Sequence, residues 1–135
     1  MTAPDDGPDR SDEWYADDFE TTTYLDPDNG RVRVWSWAIA PLNYDVIHHG
    51  TTIEDFIEKA AELGGIHWFH NLRFDGAFID AYLQSPVFGL GMQSGRWPKR
   101  QTPPGAFSAL IGDTGAHYNR YVHLRDGRKF EIRDS

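Results

Sequence analysis

Between Thr51 and Gln84 the chain reads as helix, strand, helix, and this alternation limits the possible folds more than any other feature. From Thr51 to Leu63, the residues Ile53, Phe56, Ile57 and Ala60 recur at the i, i+3, i+4, i+7 spacing of an amphipathic helix. Thr52, with Asp55 three residues later, predicts its N-terminal cap, and Gly64-Gly65 predicts its end. Ile66 to Phe69 is then a short apolar strand of the buried type. A second helix is expected from about Asp75 to Gln84, with Phe78, Ile79, Tyr82 and Leu83 facing inward and Ser85-Pro86 stopping it.

Strands flank this unit on both sides. Trp14 to Thr22 alternates as a strand should, placing Asp18 and Glu20 on one face and Tyr15, Asp17 and Phe19 on the other. Asp17 then falls on the core face, a conflict that a bulge or a strand end would relieve. Asn29-Gly30 is a hairpin signal. A second strand follows from Arg31 to Ala40 and a third from Tyr44 to His49, giving an antiparallel meander. Downstream, Gly91 to Gly105 reads as a loop rich in Gly, Pro and basic residues. Three strands are expected after it, at Ala106–Ile111, His117–Leu124 and Lys129–Arg133, the last two joined at Asp126-Gly127. The sum is a single α/β domain, a mixed sheet with helices packed on it.

Charge is unevenly spread. Residues 1–20 hold eight acidic groups and one Arg, so residues 1–12 are expected to be a disordered acidic tail ahead of a domain spanning 13–135. From Arg96 onward eight Lys or Arg face four Asp or Glu, which allows a positive surface for a phosphate backbone. There is no Cys, which excludes disulfides, thiolate zinc sites and cysteine nucleophiles. No apolar run reaches the ~18 residues of a membrane span, and a soluble, cytoplasmic protein is expected.

Asp18 and Glu20 stand two apart on one strand face, and Asp75 sits at a strand-to-helix corner. Carboxylates in that arrangement suit hard divalent cations such as Mg2+ or Mn2+. The same residues also have ordinary readings, Asp75 as a helix cap and Asn71 as a turn residue.

The segment Asp18-Phe19-Glu20-Thr21-Thr22-Thr23, followed by Phe69-His70-Asn71-Leu72-Arg73-Phe74-Asp75-Gly76-Ala77-Phe78-Ile79, resembles the first two exonuclease motifs of family B DNA polymerases. It is most similar to the protein-primed branch of phages. The resemblance implies a ribonuclease H-like fold and 3′–5′ exonuclease activity on single-stranded DNA ends by a two-metal mechanism. It implies that Asp18, Glu20 and Asp75 are the catalytic, metal-binding acids, with Mg2+ or Mn2+ as cofactor. It further implies that Thr21, His70, Asn71 and Phe74 hold the 3′ end of the strand.

The family's third motif, a Tyr with an Asp four residues later, is absent downstream of Asp134-Ser135. The expectation is therefore a partial domain, incomplete at its C-terminal side. A second chain would then carry the rest of the polymerase. The competing expectation is a module that binds single-stranded DNA or another protein without turnover.

Overall fold

The computed structural model describes residues 13–21, 34–43, 45–98, 101–110 and 119–135. Their elements are β1 (Trp14–Thr21), β2 (Val34–Pro41), β3 (His48–Gly50), α1 (Ile53–Leu63), β4 (Ile66–Phe69), α2 (Leu72–Gln84), β5 (Gln93–Gly95), β6 (Ala106–Leu110), β7 (Asn119–His123) and β8 (Lys129–Asp134). The acidic tail, the Asn29-Gly30 hairpin and the expected strand ends at 31–33, Ile111 and His117 lie outside the described residues.

All the strands join one mixed sheet in the order β3-β2-β1-β4-β8-β7-β6-β5. The meander is present, since β1–β2 and β2–β3 pair antiparallel. At the centre β1, β4 and β8 run parallel, with Asp17 level with Phe69 and Phe69 level with Asp134. The far wing, β8–β7–β6, is antiparallel and turns at Gly127, whose φ of 95° suits a residue without Cβ.

Both helices pack on one face of this sheet. β1 alternates strictly, with Tyr15, Asp17 and Phe19 buried and Trp14, Ala16, Asp18 and Glu20 exposed. The buried face shares one apolar cluster with Trp37, Ile39, Phe56, Phe69, Ile79, Leu83, Val122, Phe130 and Ile132. Phe19 meets Phe56 and Phe69 edge-on at 4.8 and 5.0 Å. Leu72, Ile79 and Leu83 of α2 are wholly buried, each contributing about 1.5–3 kcal/mol by leaving water.

α1 is capped as expected, Asp55 N donating to Thr52 Oγ1 at 3.1 Å and Gly64 closing the helix at φ 66°. α2 differs from the expectation. It begins at Leu72, so Asp75 lies inside its first turn and Asn71 holds the cap position. β3 is shorter than expected, because Asp45 N donates to Asn43 Oδ1 in a local turn and Val46 and Ile47 stay exposed. Part of the expected 91–105 loop is β5, which pairs parallel with β6 and carries no apolar alternation to reveal it.

Asp17 keeps its core position without a bulge. The register irregularity falls later, between Glu20 and Thr21. His67 of β4 meets the buried carboxylate at 2.7 Å, Nδ1 to Oδ2, and this contact relieves the conflict. No helix among the described residues is long and apolar enough to cross a membrane.

Candidate functional site

Because β1, β4 and β8 are parallel neighbours, their carboxyl ends lie at one edge of the sheet. α2 begins at that edge, directly after β4. Its first N–H groups carry partial positive charge there, at the place where α/β sheets usually bind ligands.

Asp18 and Glu20 are exposed on the face of β1 turned away from the helices, and Thr21 follows half-buried at the strand end. Across the sheet Asp18 is level with Ala38 of β2, and Ala38 with His49 of β3. These residues line a groove of about 360 Å³ together with Glu20, Ser36, Trp37, Gly50 and Thr51. No local pattern places His49 beside the two acids, because the register that does so runs through a third strand.

Asp75 approaches from the helix and is only 6% exposed. Burial pushes its carboxyl up to about 6, with the negative charges of Asp18 and then Glu20 adding to the rise. The three acids therefore sense one another, although Asp75 is not in the wall of the groove that Asp18 and Glu20 line. Among the described residues, no three His, Asp or Glu side chains form a ready-made metal centre.

The start of α2 displays the remaining candidates. His70, Asn71 and Phe74 are exposed. Phe74 is 47% exposed, with its ring edge-on to Phe78 at 5.4 Å. Asn71 makes no side-chain cap bond. The end of β8 reaches the same turn, where Asp134 Oδ1 accepts from Leu72 N at 3.2 Å and Ser135 N donates to the Phe69 carbonyl at 2.9 Å.

Among the described residues, four of the Arg side chains expected to form a basic surface make bonds within the molecule. Arg120 holds Asp80 by two bonds of 2.8 Å. Arg128 is shared between Glu58 and Asp126, Arg133 pairs with Glu131, and Arg125 donates to the carbonyls of Leu90 and Gly91. Asp80, Glu58 and the Leu90 and Gly91 carbonyls are 34 to 70 residues away from their Arg partners and could not be read from a charge count. On the open sheet face, Trp14 and Trp68 lie 5.3 Å apart with the Arg133 guanidinium 5.5 Å over Trp68, an aromatic and cationic group that the sequence reasoning also missed.

No protein-family model matches the chain. The DNA polymerase of Bacillus phage Nf is 32% identical over 102 residues, which is 75% of this chain and 16% of that polymerase. The DNA polymerase of Bacillus phage phi29 is 28% identical over 105 residues, 77% of this chain and 16% of the relative. The chain thus spans 16% of the length of the relatives it matches. Among solved structures, phi29 DNA polymerase in an orthorhombic crystal form is similar with a TM-score of 0.69 and 25% identity, over 92% of this chain and 20% of that one. The same polymerase complexed with single-stranded DNA shares the fold at a TM-score of 0.65 and 21% identity, over 91% and 20%.

Proposed function

The chain is a relative of the phi29-type phage DNA polymerases over three quarters of its length, and from that kinship we propose that it is the 3′–5′ exonuclease portion of such an enzyme, with a ribonuclease H-like fold. The observation that carries the reading is the parallel pairing of β1 with β4, which brings the end of β1 beside the end of β4 and the start of α2. Two acids from the distant Asp18-Phe19-Glu20 segment act on an acid of the Asn71-to-Asp75 segment, so the two halves of the motif resemblance converge electrostatically.

Three carboxylates facing one region repel a phosphodiester unless a cation stands between them. Hard carboxylate oxygens suit Mg2+ or Mn2+, so Asp18, Glu20 and Asp75 fit a divalent ion as its holders in this reading. When bound, such ions activate water and stabilise the leaving oxygen of a phosphodiester.

The chain's own side chains supply the rest. Phe74 offers an exposed ring for a base to stack on. Asn71, with no cap bond to make, offers its amide to sugar or phosphate. His70 and Thr21 stand beside them at the same edge, and the helix N-terminus favours a phosphate.

The test is cleavage of a 5′-labelled single-stranded oligonucleotide with Mn2+, comparing the chain with its Asp18→Ala, Asp75→Ala double variant. Stepwise shortening from the 3′ end that the double variant lacks is the expected result. Equal products from both, or none from a folded chain, would overturn the reading for this chain alone.

A second reading has its own support. The exposed Phe74 and Asn71 require no metal. Salt-sensitive binding of a single strand without cleavage, unchanged in the double variant, would favour a binding module. Co-purification with a chain carrying a polymerase body would favour a divided enzyme.

A further inference from the structure

The two helices of this chain start differently. At α1, Thr52 has the extended conformation usual for a cap (φ −130°, ψ 153°), and its hydroxyl accepts from Asp55 N. At α2, Asn71 has φ −134° and ψ 60°, and its side chain caps nothing. Asn is among the strongest cap residues, so its idleness here has to be explained by its surroundings.

The explanation lies in β8. Leu72 is 0% exposed, so water cannot satisfy the first N–H of the helix. Asp134 does so, Oδ1 accepting from Leu72 N at 3.2 Å. One bond further on, Ser135 N donates to the carbonyl of Phe69 at 2.9 Å. Asp134 and Ser135 therefore grip the backbone on either side of His70-Asn71. Asp134 is itself anchored, its N–H donating to Asn119 Oδ1 at 3.0 Å and its position level with Phe69 on the helix side of the sheet. Its negative charge also stands at the positive end of α2.

We propose that Asp134 is a positioning residue for substrate binding: by taking over the N-terminal cap of α2 it holds the His70-Asn71 turn open and leaves the Asn71 amide free for the DNA strand. This rests on the exonuclease or strand-binding reading above. Without the Asp134 carboxylate, Leu72 N–H is orphaned, the turn is released at Leu72, and Asn71 relaxes toward the extended cap conformation of Thr52. Its amide then turns onto the N–H groups of its own helix and is lost to the strand.

The experiment measures binding of a 5′-fluorescein-labelled oligothymidylate by anisotropy, with Ca2+ present to stand between the three carboxylates and the strand, alongside hydrogen exchange at the Leu72 amide. Asp134→Ala is expected to bind about tenfold more weakly, the effect of one well-placed hydrogen bond to a ligand. Asp134→Asn, whose side-chain carbonyl still accepts from Leu72 N, should bind within about twofold of wild type. In an Asn71→Ala background, Asp134→Ala should add no further loss, because both changes remove the same contact. Leu72 exchange should quicken in Asp134→Ala and stay slow in Asp134→Asn.

Unchanged exchange at Leu72 in Asp134→Ala would overturn the proposal, as would losses that multiply across the two positions. Faster exchange with full strand binding would also overturn it, reducing Asp134 to a structural cap. A wild-type chain that binds no strand would overturn the functional reading, and the positioning role with it, while the exchange data would still decide whether Asp134 caps α2.

Discussion

Asp17 and His67 meet in the core at 2.7 Å with both side chains wholly shielded from water. His67 Nε2 lies 2.9 Å from the Gly64 carbonyl, which can only accept, so Nε2 carries a proton. Burial pushes the Asp17 carboxyl up against the opposing pull of His67, and the contact joins Oδ2 to Nδ1 while Asp17 Oδ1 has no hydrogen-bond partner. Tyr15 stacks on the imidazole at 4.9 Å and Phe130 closes it edge-on at 5.8 Å. Asp17→Ala should cost up to about 3 kcal/mol by leaving His67 Nδ1 without its partner, whereas Asp17→Asn, whose side-chain NH2 can still donate to Nδ1, should cost less than about 1 kcal/mol. Urea denaturation of both variants checks the difference.

The metal-free chain should lose stability as pH rises through the Asp75 transition. Its carboxyl moves from 3.8 to about 6 on folding. The folded state thus favours the protonated form, and the stability this contributes is fully present below 3.8 and lost as pH rises through about 6. Asp75→Asn removes the titration. The variant should be more stable than wild type by about 1–2 kcal/mol at neutral pH, and the gap should close in acid. Thermal melts across pH, in EDTA, measure it. On the metal reading, added Mn2+ should raise the melting temperature of wild type and leave that of the variant unchanged.

Phe74 contributes little to the fold, since its ring is 47% exposed and touches Phe78 at the helix surface. Phe74→Ala should lower stability by less than about 1 kcal/mol. On the strand-binding reading it should weaken single-stranded DNA by about 1–3 kcal/mol, the usual loss of one stacked base. Melting and anisotropy on the same sample separate the two effects.

Two glycines should respond in opposite ways to alanine. A Cβ at Gly76 would meet Arg120 and Leu72 atoms at 3.5 Å, ordinary contact inside α2. Gly76→Ala should therefore stabilise by about 0.5–1 kcal/mol through helix propensity. A Cβ at Gly89 would lie 1.6 Å from the Tyr82 carbonyl oxygen. Gly89→Ala should cost about 2–4 kcal/mol by displacing the loop that follows α2. Melting temperatures of the two variants should fall on either side of wild type.

Local pattern carried the order of elements from β1 to α2. The alternation of Tyr15 to Glu20, the cap at Thr52 and the glycines after Leu63 each act over a few residues, so they were legible in the sequence. The start of α2 was not, because its first N–H is satisfied by Asp134, far downstream. β5 is a three-residue edge strand held by its neighbour β6 and not by any pattern of its own. Asp17 looked misplaced because its partner, His67, lies on a different strand. In the candidate site, alternation alone put Asp18 and Glu20 on one face. The addition of His49 needed the register of three strands, and the proximity of Asp75 needed the parallel pairing of β1 with β4. The roles of these acids, and of Thr21, His70, Asn71 and Phe74, belong to the proposal and its tests.

The grip of β8 on both sides of His70-Asn71 has a consequence for the order in which the molecule matures during translation. Chains leave the ribosome from the N-terminus at about 5–20 residues per second. Asp18, Glu20 and Asp75 emerge well before Asp134, and until it arrives the first N–H of α2 has no acceptor from β8. A nascent chain can thus assemble its meander and both helices while the turn beside Asp75 is still unset. On the strand-binding reading, this edge becomes competent only when the last strand of the described sheet docks against β4.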